Sequence, residues 1–62
     1  MNNKKFQETL EQLKEELEIQ GVEFNDENDL IAAVEYIMEY DYHPEQYVED
    51  TLCNYPEMFK DL

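Results

Sequence analysis

The chain has 62 residues, 17 of them acidic against four lysines and no arginine, for a formal net charge of -13. So short a chain makes one small domain, residues 1–62, that buries only about 60% of the surface it would expose unfolded. Its 42% apolar content argues against disorder, and its charge disfavours direct contact with nucleic acid or an anionic membrane while favouring basic protein surfaces.

The first helix is expected from Asn2 or Asn3, either of which could cap it. Phe6, Leu10, Leu13 and Leu17 fall within about 60° of one another on a helical wheel, a narrow seam suited to packing on a second helix. Gly21 ends this helix where a left-handed residue is favoured, and Val22 would pack back on Leu17. Ile19 lies across from the seam, as a covered outlier or an exposed anchor. Val22 and Phe24 read as a short apolar bridge.

Asn25 to Asp29 supplies a cap and an acidic first turn for the second helix. The same run resembles the opening of a calcium loop, but Leu30 stands at a ligand position and the required glycine and closing Glu are missing. The stretch that follows, Leu30 to Tyr40, is the most apolar in the chain, and the other elements are expected to bury their faces against it. Leu30, Ile31, Val34, Ile37 and Met38 share a face about 100° to 120° wide, with Ala33 at its edge. The helix should end near Tyr40 or Asp41. After Tyr42 and His43, Pro44 suits the first position of a third helix. Val48, Leu52 and Tyr55 form its inner face, with Tyr47 and Thr51 alongside. Pro56 breaks it, and Met58, Phe59 and Leu62 read as a last turn folding back on the core. The expected fold is all-α: a small three-helix bundle with a short C-terminal helical turn.

Little in the chain carries chemistry. Zinc sites use about three or four His or Cys ligands, whereas this chain has only His43 and Cys53, ten residues apart. His43 reads as a helix-cap residue and Cys53 as a semi-exposed thiol. With one glycine there is no phosphate-binding loop. The expectation is a protein that is not an enzyme and needs no metal or cofactor. The lone cysteine excludes an internal disulfide, no secretory signal is expected from the polar N-terminus, and no run approaches the roughly 18 apolar residues of a membrane span. A cytoplasmic setting is expected.

The acidic residues form arrays. Glu8, Glu11, Glu15 and Glu18 make a stripe about 80° wide opposite the leucine seam, climbing about 4.5 to 6 Å per carboxylate, a few-ångström spacing comparable to that of nucleic-acid phosphates. Asp26, Glu27 and Asp29 cluster at the start of the second helix, Glu35, Glu39 and Asp41 continue along it, and Glu45, Glu49 and Asp50 lie on the third. No lysine or arginine falls between Glu15 and Glu57. Like charges one turn apart cost about 0.2 to 0.5 kcal/mol per pair, which interleaved lysines would reverse. One explanation is a solvated face that aids solubility. A halophile's surface is another, although abundant Asn, Ile, Lys and Tyr point to an AT-rich genome. A third is a surface that imitates a polyanion. Tyr36 and Tyr40, one turn apart, and Tyr42 and Tyr47 around the next turn either close the rim of the core or offer interface area that stacks under arginine.

In size, acidity, lone cysteine and carboxylates set among tyrosines, the chain resembles the small DNA-mimic inhibitors of phages and mobile elements, of anti-CRISPR, antirestriction and uracil-DNA-glycosylase-inhibitor type. The resemblance covers the whole chain in character but rests on no motif. Those families share no single fold, so no residue role is transferred from them. It implies a stoichiometric inhibitor acting in the host cytoplasm, occupying the nucleic-acid site of a nuclease or other defence enzyme through its basic surface. The expected contact residues are Asp26, Glu27, Asp29, Glu35, Tyr36, Glu39, Tyr40, Asp41, Glu45, Glu49 and Asp50. The alternative is a helical regulatory or adaptor protein that forms a homodimer, or docks on a partner, through Leu10, Leu13 and Leu17.

Overall fold

A computed structural model describes residues 3–62. In chain order the elements are α1 (Asn3–Gln20), β1 (Val22–Phe24), α2 (Glu27–Tyr40), α3 (Pro44–Asn54), a 3-10 turn (Pro56–Met58) and β2 (Phe59–Asp61). The side chains of Asn2 and Asn3, expected to cap the first helix, lie outside the described residues. The molecule is mostly helical, but the all-α expectation needs correction. Beyond the short turn at Pro56–Met58, the C-terminal segment is a strand, and β1 and β2 form a two-stranded antiparallel sheet pairing Val22 with Asp61, Glu23 with Lys60 and Phe24 with Phe59.

Alternation along each strand explains the sheet. Successive side chains of a strand point to opposite faces, so Val22 and Phe24 turn inward while Glu23 turns out. Phe24 and Phe59 stack with ring centroids 4.6 Å apart, and both are buried. On the outer face Lys60 Nζ lies 3.3 Å from Glu23 Oε1. Gly21, at φ 76°, makes the reversal from α1 into β1 in a backbone region that glycine enters freely. Its carbonyl accepts from the Leu62 N–H at 3.0 Å, and the Asn25 N–H donates to the Met58 carbonyl at 2.9 Å at the other end of the ladder.

The helix at the centre is α1, not α2. With 18 residues it is about 27 Å long, most of the 33 Å long axis of the molecule. It packs against α2, α3 and β1, while α2 and α3 approach each other less closely. Leu13 and Leu17 are buried in the shared core with Ala33, Val34, Ile37, Val48 and the two phenylalanines, and Phe6 and Leu10 pack partly buried against it. The seam is thus covered from within the same chain. Thr9, on the flank of the seam, is also buried. Ile19 is 67% exposed, so it is the exposed residue of the two alternatives.

α2 keeps most of its expected inner face: Val34 and Ile37 are buried and Leu30 and Met38 pack partly buried against the core, while buried Ala33 in place of Ile31 shifts the centre of the face by roughly 30° at about 100° per residue. Ile31 moves to the margin, and Ala33, expected at the edge, becomes fully buried. The helix begins at Asp26, whose Oδ1 accepts from the Asn28 N–H at 2.9 Å, and ends at Asp41, in the left-handed region at φ 52°. The Tyr42 N–H then reaches back to the Ile37 carbonyl at 3.0 Å, a Schellman-type closure. Pro44 opens α3 as expected, but His43 occupies the cap position without a side-chain cap bond. Val48 and Thr51 are buried on α3 and Leu52 partly so. Tyr55, expected inside, is 56% exposed.

Candidate partner-binding surface

The expected contact residues divide by what the fold already does with them. Asp26, Glu27 and Asp29 sit at the N-terminus of α2, and Glu45 in the first turn of α3. Carboxylates there complement the helix dipole, so these four have a local structural role. Asp29 is half-buried, whereas Asp26, Glu27 and Glu45 are exposed.

The other end of α2 is different. None of the three helices carries a basic residue in its last turn, where a cation would be favourable and a carboxylate is not. Glu39 stands in that unfavourable position, with Glu35 one turn before it and Asp41 just after it, and all three are exposed. Glu35 and Glu39 line one shallow groove with Tyr36, Tyr40, Phe6 and Met38. Asp41 faces a different depression, shared with Lys5 and Thr9 of α1, and so stands apart from the pair.

Four tyrosines join into one cluster. The Tyr36 ring lies 4.7 Å from Tyr40, 5.9 Å from Tyr42 and 5.5 Å from Tyr47, centroid to centroid, and Tyr42 meets Tyr47 edge-on at 6.1 Å. Tyr36 and Tyr40 are the expected pair. Tyr42, Tyr47 and Tyr55 are not among the expected contact residues, yet with Tyr36 they wall a second groove between the end of α2 and α3. The crowding of tyrosines into residues 36–55 was the available signal.

Asp50 belongs to this second groove. One of its oxygens accepts from the Tyr42 hydroxyl and the other from Gln46 Nε2 at 2.9 Å. The bond from Tyr42, then that from Gln46, holds the Asp50 carboxyl below its ordinary range, and the Tyr42 phenol is raised, first by the same bond to Asp50 and then by burial. Burial also raises the Tyr47 phenol, against a hydrogen bond with Thr51 that lowers it, with smaller electrostatic contributions from Tyr36 and Asp29 adding to the rise. Glu45 and Glu49 lie roughly 130° to 175° around α3 from the tyrosine side, so the fold does not bring them to either groove. Asp26 and Glu27 are about 20 Å from Glu39 along α2.

The assembled surface is therefore narrower than the sequence list: Glu35, Tyr36, Glu39 and Tyr40 on one side of the Tyr36 ridge, and Tyr42, Tyr47, Asp50 and Tyr55 on the other. Among the described residues, no group of three or more His, Cys, Asp and Glu side chains could hold a metal ion, and no helix is long and apolar enough to cross a membrane. No family model, curated protein or solved structure matches the chain.

Proposed function

We propose that the protein is a stoichiometric inhibitor of anti-defence type, which presents the carboxylates of α2 to the basic channel of a host nucleic-acid-binding enzyme and so excludes its nucleic acid. The observation that carries this reading is the exposed pair Glu35 and Glu39 beside Tyr36 and Tyr40, on a helix without a single cation. Glu39 opposes its own helix dipole and Glu35 has no cation on its helix to pair with, which is understandable if they meet a cationic partner. A rigid helical scaffold holds them in place before contact, and the net charge of -13 would speed encounter with a basic target.

The test is recovery of the partner from the natural host followed by titration of the purified pair against duplex DNA and against salt. The expected result is a nucleic-acid-processing partner, displacement by DNA, and affinity that falls steeply as salt rises. A partner that stays bound in excess DNA, with affinity flat in salt, would overturn the proposal.

A further inference from the structure

The groove between α2 and α3 has a chemistry of its own. Tyr36 and Tyr55 stand at its rim, 45% and 56% exposed, with Tyr42, Tyr47 and Met58 deeper in the wall. The one acidic side chain in that wall, Asp50, already has a donor on each oxygen. The groove therefore offers ring faces and phenol oxygens in a strongly negative field, but no carboxylate free of an internal partner. A lysine ammonium is compact and strongly hydrated, and would find no such carboxylate there to replace its water. An arginine guanidinium is planar, weakly hydrated, stacks on aromatic faces and still gains from the surrounding charge.

Resting on the function proposed above, we infer that this tyrosine groove receives an arginine side chain of the basic partner, with Tyr36 and Tyr55 as its stacking walls. Charge complementarity commits the groove to a cationic occupant, and its ring faces favour guanidinium over ammonium. The carboxylates Glu35 and Glu39, across the Tyr36 ridge, steer the partner towards this contact.

The experiment titrates the whole protein with capped tetra-arginine, capped tetra-lysine and capped phenylalanine amide at matched ionic strength, following the tyrosine ring protons by NMR. Tetra-arginine should shift the Tyr36, Tyr47 and Tyr55 rings and bind about three- to fivefold tighter than tetra-lysine. Tyr55→Leu, at an exposed rim position, should remove that preference while the amide spectrum stays folded; Tyr36→Leu should do the same. Equal response to the two cationic peptides, shifts confined to the Glu8 to Glu18 stripe, or equal shifts from the phenylalanine amide would each overturn the assignment. DNA competition with the partner reads the charge array and not this groove, so failure of the groove and failure of the inhibitor reading give different results.

Discussion

The Tyr42 phenol donates its hydrogen bond to the Asp50 carboxylate, tying the connection after α2 to the middle of α3. The bond lowers Asp50 below its ordinary 3.8 and raises Tyr42 above its ordinary 10.0. A lowered carboxylate stabilises the fold above the unfolded value and loses that contribution as pH falls through the folded one. A raised phenol stabilises below the unfolded value and loses it as pH rises through the folded one. Tyr42→Phe should therefore lower the melting temperature throughout the range between these limits, with the gap to wild type closing in acid below the carboxylate range. Melting curves for both proteins across pH check this, and a gap that stays constant into strong acid would count against the coupling.

Salt should stabilise the isolated protein. Repulsion among the acidic residues opposes the compact state, and screening shortens its reach to about 8 Å at physiological ionic strength. Thermal melts at pH 7 with increasing sodium chloride should move upward; a downward shift would mean the surface charges are net stabilising.

Core truncations should separate α1's inner face from its outer one. Leu13 is 0% exposed and Ile37 5%, so Leu13→Ala and Ile37→Ala should each cost about 2 to 5 kcal/mol. A domain of this size has only about 3 to 9 kcal/mol in total, so either variant approaches unfolding. Ile19→Ala should stay within about 0.5 kcal/mol of wild type. Urea titrations give all three values. A Leu13→Ala variant that remains a fully stable monomer but loses self-association would show that the seam serves a dimer instead.

The sheet depends on one aromatic contact. Phe59→Ala removes the partner of Phe24 and should cost about 3 to 5 kcal/mol. Hydrogen exchange locates the damage: the Leu62 and Asn25 amides, bonded to Gly21 and Met58, should lose protection first, ahead of the amides of α1. Unchanged exchange at both would mean that the strands pair without the ring contact.

Asp41 ends α2 at φ 52°, where an L side chain is strained by about 1 to 2 kcal/mol, less for Asp than for most residues. It also adds negative charge to the negative end of the helix. Asp41→Gly should therefore raise stability by about 1 kcal/mol, read from the urea midpoint. A drop would mean that the carboxylate makes a compensating contact with α1.

Local signals in the sequence were enough for the three helices and most of their ends. The seam from Phe6 to Leu17, a cap within Asn25 to Asp29, the stop at Gly21 and the opening at Pro44 each lie within a few residues of the feature they specify. Tertiary structure decided the rest. Strands of three residues carry almost no local propensity, and Phe24 finds Phe59 only because two distant segments close on the same end of the core; the alternation Val-Glu-Phe against Phe-Lys-Asp, with a cation opposite an anion, was the faint trace of it. Which helix lies at the centre was not a matter of hydrophobicity either. α2 is the more apolar helix, but α1 is the one long enough to pack against both others. The candidate surface divides the same way: helical spacing alone puts Tyr36 and Tyr40 beside Glu35 and Glu39 and sets Glu45 and Glu49 across α3 from Tyr47, whereas the meeting of Tyr42 and Tyr47 with Tyr36 depends on packing between elements that no single helix encodes.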